Sequence, residues 1–455
     1  MIITRHILHS QMILEVDDNR WDRIGLFRRI DRAKSYLINE KSAQPGQNVV
    51  MLGISWPSYL IWFIACAELG MSFVVSDSVG LHRCSASVRE KLSLYGDIDY
   101  VIGNIEDKYF RELPHLYDKY IHHKAWANYH PSSYDTPIWA TRDSILIRST
   151  TSGTTNIPKV CNHTHGFFYD LMVRNADVLN LNENDVCLHT LILHHGSVAG
   201  VYFLPSLYRC KRHRWCEHIE CANTIQKYDV NRVLLFYDDV NDMTNRMIVP
   251  NKTMTLYVLS AVTERFIDHM VRRLGNTVTS IYGCTETSGP LMLSLATPFD
   301  NTNWDPLAFS GPLDTFYVLS VKDGMIQVMM PDGSIITPGD RFTMNGDKWI
   351  LKGRENIYRI KGKQIYLGIL ASWLESRYNW KHQDTFDLVF DSERESIYLR
   401  INNMLLNSLH DLNQEIELHF GSTDYQITKM IEGARLDFYT GIKFDSNEVR
   451  LRCRG

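Results

Sequence analysis

The feature that most constrains the fold is a strand–helix–strand pattern within residues 47–75. An apolar run follows the turn at Pro45-Gly46 and predicts a buried strand. Pro57 is typical of the first turn of a helix, which the apolar residues after it continue. Residues 73–75 predict a second strand. Because two strands joined by a helix pair in parallel, this pattern predicts an α/β fold.

The alternation of strands and helices recurs further along the chain. A helix is predicted at residues 166–179, and strands are predicted at residues 144–148, 233–237, 255–259 and 278–282. After Gly311 the pattern changes to short strands joined by glycine turns, at residues 317–321, 325–330 and 349–352. We therefore expect a large α/β domain with parallel sheets, residues 1–353, joined by a hinge to a small α+β domain, residues 357–455.

Composition excludes some classes of function. The net charge of −4 argues against a broad basic surface for nucleic acid. The most apolar stretch, residues 49–75, is interrupted by Gly53, Pro57 and Glu68, so we expect no membrane span. Nine cysteines without regular spacing are typical of a reducing compartment, and we expect a cytoplasmic protein.

A cluster of cysteines and histidines allows two interpretations. Zinc accepts these ligand types, which here are Cys210, His213, Cys216, His218 and Cys221. However, the cysteines form no CxxC pair, and no second pair of ligands follows at finger spacing. The alternative, which we favour, is a short strand over residues 211–216 that leads into a helix near Cys221.

The segment with the most chemical information is residues 149–159, STTSGTTNIPK. It holds six hydroxyl residues, one glycine and one lysine after a predicted strand. Hydroxyl and backbone N–H groups can surround phosphate oxygens, and a lysine adds positive charge. The candidate phosphate-binding residues are Thr151, Ser152, Gly153, Thr154, Thr155 and Lys159. The alternative is a flexible polar loop.

This segment resembles the signature loop of the adenylate-forming (AMP-binding) superfamily, which includes acyl-CoA synthetases, peptide-synthetase adenylation domains and luciferases. Three further segments resemble motifs of that family in the same order. They are residues 282–286 (YGCTE), residues 338–340 (PGD) and residues 352–362 (KGRENIYRIKG). The resemblance extends over nearly the whole chain, and four motifs in order are far more specific than any one of them.

The resemblance implies an acid–thiol ligase that forms AMP. Such an enzyme joins a carboxylic acid to AMP from ATP, with Mg²⁺, and passes the acyl group to a thiol. Coenzyme A is the expected acceptor, and a separate phosphopantetheine carrier protein is the alternative. Fatty or aromatic acids are the expected substrates. Two other functions stay open, an amide-forming ligase and a degenerate protein that binds nucleotide without turnover.

The resemblance also implies roles for individual residues. Residues 149–159 would hold the triphosphate, Thr285 would contact the α-phosphate, and Glu286 would bind Mg²⁺, which favours oxygen ligands. Tyr282 would offer a flat face to adenine. Asp340 would accept hydrogen bonds from the ribose hydroxyls, and Arg354 would donate to the ribose from the other side.

The C-terminal region departs from the family pattern. The family's catalytic lysine follows a glycine directly, whereas here Ile442 separates Gly441 from Lys443. Lys443 is our candidate for the adenylation lysine, with Lys429 as the fallback. Asn356 occupies the hinge position that is usually an aspartate or lysine in the family, and the segment after Arg354 is one residue short.

Two segments bear on the adenine and acid pockets. Residues 260–262 (SAV) stand where the family often has Gly-Gly-Ala near adenine. Residues 194–197 (HHGS) match the segment in which amino-acid-activating domains carry an aspartate. Because no carboxylate is present there, α-amino acids are not expected as substrates. His194 is the candidate at the acyl pocket, with His195 as its neighbour.

Overall fold

The computed structural model describes residues 1–16, 19–52, 58–74, 94–104, 114–131, 136–150, 160–190, 198–216, 220–235, 240, 242–243, 245–259, 264–299, 308–354, 357–360, 363–366, 370, 374, 378, 386–391, 396–401, 409–420 and 426–432. The described residues up to Lys352 form one compact unit, and those from Gly353 onward form a second.

The strands are β1 (Ile13–Val16), β2 (Asn19–Asp22), β3 (Asn48–Leu52), β4 (Ser72–Val74), β5 (Tyr100–Gly103), β6 (Tyr120–His122), β7 (Ile145–Thr150), β8 (Val160–Thr164), β9 (Val186–His189), β10 (Arg212–Trp215), β11 (Arg232–Leu235), β12 (Thr255–Val258), β13 (Thr277–Tyr282), β14 (Met292–Ala296), β15 (Ala308–Ser310), β16 (Val318–Lys322), β17 (Met325–Met329), β18 (Ile335–Ile336), β19 (Asp340–Asn345), β20 (Lys348–Arg354), β21 (Ile357–Ile360), β22 (Lys363–Tyr366), β23 (Phe386–Asp391), β24 (Ser396–Ile401) and β25 (Ile427–Glu432).

The α-helices are α1 (Arg23–Lys41), α2 (Ser58–Glu68), α3 (His165–Val178), α4 (Leu204–Arg209), α5 (Cys221–Lys227), α6 (Glu264–Ile267) and α7 (Leu409–Phe420). Two π-helical segments are Ala199–Phe203 and Asp268–Arg273. Short 3-10 helices are Arg5–Ile7, Pro114–Lys119 and Ala125–Asn128. No helix in the described part of the chain is both long and apolar enough to cross a membrane.

The first sheet has the strand order β6-β5-β3-β4-β7-β8. All neighbours in it are parallel except the pair β7–β8, which is antiparallel. The predicted strand–helix–strand pattern is confirmed as β3-α2-β4, with Val49 opposite Phe73. Every residue of α2 is buried, because apolar side chains occur on all of its faces. Pro57 lies outside the described residues.

The second sheet has the order β14-β13-β12-β11-β9-β10-β1-β2. The strands from β13 to β1 are parallel, and β2 pairs antiparallel with β1 at one edge. At the other side β14 pairs antiparallel with β13 and continues the same sheet into β15. One hydrophobic cluster contains residues of both sheets and of the helices between them. In that cluster, the Phe63 ring lies 4.7 Å from Phe73 and 6.0 Å from Phe203 between centroids. The carboxyl ends of the parallel strands of the second sheet share one edge, where ligands bind in open α/β sheets.

An antiparallel region follows β14, with the strand order β15-β20-β19-β17-β16. Its inner side buries Phe309, Tyr317, Phe342 and Trp349. In the second unit, β21 and β22 form a hairpin, and β23-β24-β25 form a mixed sheet with α7 nearby in sequence. The predicted fold class, a large α/β domain with parallel sheets followed by a small α+β domain, is confirmed.

The cysteine and histidine cluster forms the predicted strand and helix, β10 and α5. His213 Nε2 lies 3.0 Å from the Cys210 carbonyl oxygen, so this nitrogen carries a proton and donates a hydrogen bond to that oxygen within the fold. Among the residues that the structure describes, no group of histidine, cysteine or acidic side chains could hold a metal ion. His218 lies outside them.

Candidate active site

Two of the segments singled out in the sequence meet through Tyr282 and Asp340. Tyr282 is the last residue of β13, and Asp340 is the first residue of β19. The Tyr282 hydroxyl donates a hydrogen bond of 2.6 Å to Asp340 Oδ2, and both side chains are buried. A bond of this length to a carboxylate is charge-assisted, so it fixes the orientation of both groups.

An aromatic cluster holds the Tyr282 ring from the sides. Its centroid lies 4.9 Å from that of Phe342, edge to face, and 5.8 Å from that of Phe309. Trp349 packs against Phe342, and its Nε1 donates to the Gly311 carbonyl oxygen. Such edge-to-face contacts restrict ring rotation, so the position of Tyr282 is set by packing as well as by Asp340.

The loop after β13 is a tight turn with little room for side chains. A Cβ atom on Gly283 would lie 2.4 Å from the Gly289 carbonyl oxygen. The Thr287 hydroxyl lies within hydrogen-bond reach of the carbonyl oxygens of Cys284 and Gly289. These contacts fold residues 283–290 back on themselves at the carboxyl end of a parallel strand. Thr285 and Glu286 occupy the turn, and both are partly exposed.

Two residues outside the motifs, Tyr317 and Arg174, donate hydrogen bonds to the backbone of this loop. The Tyr317 hydroxyl donates to the Thr287 carbonyl oxygen at 2.8 Å, and burial raises the pKa of Tyr317, so it stays a neutral donor. Arg174 Nη1 donates to the Pro290 carbonyl oxygen at 2.8 Å, while its Nε pairs with Asp314 at 2.6 Å. No sequence signal short of the structure indicates these contacts, because they join residues more than 25 positions apart.

The predicted phosphate-binding residues follow β7 and precede β8. These two strands pair antiparallel up to Thr150 and Val160, which are opposite each other. Thr151, Ser152, Gly153, Thr154, Thr155 and Lys159 lie outside the described residues, and their predicted role stays a prediction.

Other predicted residues also lie outside the described part of the chain. These are His194, His195, Asn356, Lys443 and residues 260–262. Arg354 ends β20 and pairs with Ile357, and Lys429 lies in β25 opposite Tyr398, but only their backbone is described.

Two neutral histidines contact each other here: His189 at the carboxyl end of β9, a few residues before His194 in the sequence, and His213 in the neighbouring strand β10. His189 Nε2 lies 3.1 Å from His213 Nδ1, and the two rings stack at 5.3 Å. Burial lowers the pKa of His189 and lowers that of His213 to about 4. Beside them lie the buried rings of Tyr202 and Phe203. This end of β9 is therefore uncharged and largely aromatic.

A family model described as "AMP-binding enzyme" matches residues 16–334, which is well over half of the chain. The chain belongs to the AMP-binding enzyme family. The matched region includes residues 149–159 and 282–286, while residues 338–340 and 352–362 lie beyond it. The predicted family is therefore confirmed. No curated protein sequence matches the chain significantly.

Several solved structures share the fold of this chain. A double mutant of o-succinylbenzoate CoA synthetase from Bacillus subtilis, bound with a product analogue, has a TM-score of 0.76 at 17% identity over 98% of this chain and 97% of that chain. The same enzyme in complex with ATP and magnesium has a TM-score of 0.66 at 17% identity over 95% of both chains. McyG A-PCP, complexed with phenylalanyl-adenylate, has a TM-score of 0.65 at 15% identity over 96% and 92%.

Proposed function

We propose that this AMP-binding enzyme activates a carboxylic acid as its adenylate and passes the acyl group to the thiol of coenzyme A. The observation that carries the proposal is the Tyr282–Asp340 hydrogen bond beside the turn with Thr285 and Glu286. It brings two family motifs together at the carboxyl end of β13, where an α/β sheet binds ligands. The fold shared with a CoA synthetase supports the choice of acceptor.

Asp340 binds the ribose in this proposal. Tyr282 holds one carboxylate oxygen, which fixes the direction in which the other can accept hydrogen bonds from hydroxyl groups. The buried carboxylate sits in a low dielectric, where hydrogen bonds to an ionised acceptor are strong. Arg354 donates to the ribose as a second contact, and the Tyr282 ring provides a surface for adenine.

Thr285 and Glu286 act on the phosphates. Glu286 supplies a partly exposed carboxylate on a constrained turn, which fits the oxygen ligands that Mg²⁺ requires. When bound, Mg²⁺ would neutralise charge on the phosphate oxygens. The Thr285 hydroxyl donates to the α-phosphate, where charge develops as the acid attacks. The loop with Thr151, Ser152, Gly153, Thr154, Thr155 and Lys159 surrounds the β- and γ-phosphates.

The acid enters beside residues 194–197, with His194 against the acyl group. The uncharged pair His189–His213 and the rings of Tyr202 and Phe203 favour an apolar or aromatic acid over an ammonium-bearing one. Lys443, or Lys429 in its place, bridges the acid and the α-phosphate. The segment from Asn356 acts as the hinge between the domain of residues 1–353 and that of residues 357–455.

The experiment that tests this function uses the full chain with ATP, MgCl₂, coenzyme A and a panel of fatty, aromatic and α-amino acids. We expect AMP release and a CoA thioester, detected by mass spectrometry, with fatty or aromatic acids. An acyl-adenylate without a thioester would support a carrier or amine acceptor instead. Product with α-amino acids alone would contradict the assignment of the acid pocket.

A further inference from the structure

A buried histidine on β8, His163, contacts the turn that carries Thr285 and Glu286. Its Nε2 lies 3.1 Å from the Thr285 carbonyl oxygen and 3.1 Å from Ser288 Oγ. The Ser288 hydroxyl donates to the same carbonyl oxygen, also at 3.1 Å. The three atoms therefore form a triangle of hydrogen-bonding groups. Two of its members, His163 and Ser288, are 125 residues apart in the sequence.

The carbonyl oxygen determines which nitrogen of His163 carries the proton. A carbonyl oxygen only accepts hydrogen bonds, so Nε2 must be protonated to lie 3.1 Å from it. The Nε2–H group thus donates toward Thr285, and the Ser288 hydroxyl donates alongside it. Burial lowers the pKa of His163 to about 4, so the ring is neutral and in this tautomer at ordinary pH.

The ring of His163 is itself fixed. It stacks on Phe167 with centroids 5.2 Å apart and meets Phe168 edge to face at 5.6 Å. The backbone of the π-helical segment also lies close to Ser288, since a Cβ on Gly200 would lie 2.0 Å from the Ser288 carbonyl oxygen. Ser288 has a φ of 47°, which a non-glycine residue adopts only when its surroundings hold it there.

The Thr285 carbonyl belongs to the peptide group that joins Thr285 to Glu286. Fixing its oxygen fixes that peptide plane, and with it the positions of the Glu286 N and Cα atoms from which the side chain extends. We propose that His163 is a positioning residue, which orients the Thr285–Glu286 peptide for binding of Mg²⁺ and ATP. This inference rests on the proposed function, because Glu286 acts on Mg²⁺·ATP only if the site is a nucleotide site.

The test compares two substitutions at His163 with one at a matched histidine. His163→Leu removes the donor and keeps an apolar side chain, whereas the amide of His163→Gln can donate from near the position of Nε2. The control is His269→Leu, because His269 is also buried and its Nε2 lies 2.7 Å from a carbonyl oxygen, that of Ile248. Affinity for ATP with MgCl₂ is measured by calorimetry, and amide hydrogen exchange is measured for a peptide that contains residues 283–290.

We expect His163→Leu to weaken ATP binding in MgCl₂ by about tenfold or more, the effect of losing one or two hydrogen bonds, and to accelerate exchange in residues 283–290. His163→Gln should restore most of the ATP affinity and most of the protection of residues 283–290 from exchange. His269→Leu should lower the stability of the protein without changing either quantity. If His163→Leu keeps the wild-type affinity for ATP and the wild-type protection from hydrogen exchange, the inference is overturned. Equal losses in the Leu and Gln variants would overturn it as well.

If His163→Leu does not fold, His163→Asn replaces it, because the shorter amide does not reach Thr285, and the Asn–Gln difference decides. If the wild-type protein binds no ATP, the proposed function fails and the positioning role falls with it. In that case, hydrogen exchange still shows separately whether His163 holds the turn.

Discussion

The Tyr282 hydroxyl and the Asp340 carboxylate lie 2.6 Å apart, although 58 residues separate them in the chain. This contact joins the end of a parallel strand in the second sheet to the start of a strand in the antiparallel region. It therefore couples two parts of the first unit at the edge where we propose that the nucleotide binds.

Removal of the Tyr282 hydroxyl tests whether it orders Asp340. Tyr282→Phe keeps the aromatic packing against Phe309 and Phe342 but removes one hydrogen bond to a carboxylate, typically worth about 1.5–3 kcal/mol. We expect ATP affinity to fall about three- to tenfold, since the carboxylate keeps its charge but loses its orientation. Calorimetry with ATP measures this, and an unchanged dissociation constant would contradict the coupling.

Asp340→Ala should have a larger effect on the same binding. It removes the proposed acceptor for the ribose hydroxyls, so ATP affinity should fall about 10- to 150-fold. Asp332→Ala is the matched control, because Asp332 is an exposed aspartate in a turn of the same antiparallel region. Equal affinities of the Asp340 and Asp332 variants would show that Asp340 does not bind the nucleotide.

Gly283→Ala tests the tightness of the turn. The new Cβ would lie 2.4 Å from a backbone oxygen, that of Gly289, which cannot rotate away as a side chain would. We expect a destabilisation of about 1–3 kcal/mol in urea unfolding, the usual cost of overpacking, together with weaker ATP binding. A variant with wild-type stability would mean that the turn opens readily.

Buried histidines give the stability a defined pH dependence. Burial lowers the pKa values of His165 and His213 from 6.5 to about 4. Because the unfolded chain binds protons that the folded chain does not, the stabilisation is complete above about pH 6.5 and is lost as pH falls toward 4. The unfolding free energy should drop by on the order of 3 kcal/mol per histidine over this range.

Urea unfolding at several pH values measures this effect. His165→Asn keeps an acceptor for the Ile3 N–H, which donates to His165 Nδ1, but it has no proton to gain. Its unfolding free energy should therefore depend less steeply on pH than that of the wild type. Identical slopes for the two proteins would show that His165 does not titrate in this way.

The sequence predicted elements that rest on local patterns. The β3-α2-β4 unit follows from turn residues and an unbroken apolar run, and β13 and β17 lie where their apolar residues indicated. The motifs likewise drew attention to Tyr282 and Asp340 one at a time. Their hydrogen bond could not be derived from spacing, because it depends on how the antiparallel region packs against the second sheet.

The residues that hold the turn of the site could not be predicted from the sequence, for the same reason. Arg174, Tyr317 and His163 act through backbone carbonyl oxygens of residues 285–290, and a carbonyl oxygen leaves no signature in residue type. Arg174 lies in helix α3 and His163 in strand β8, and Tyr317 directly precedes strand β16, so none has an unusual position in the sequence. Only the path of the folded chain shows what they contact.

Adenylate formation is the central claim, and acid-dependent exchange of labelled pyrophosphate into ATP measures it most directly. With a fatty or aromatic acid from the panel, we predict exchange by the wild-type protein, a large loss in Asp340→Ala and near-wild-type exchange in Asp332→Ala. Lys443→Ala should nearly abolish the exchange, since losing a charge-stabilising group typically costs on the order of 10²–10³ in rate. Absence of exchange by the folded wild-type protein with every acid, or equal exchange by Asp340→Ala and the wild type, would contradict the account.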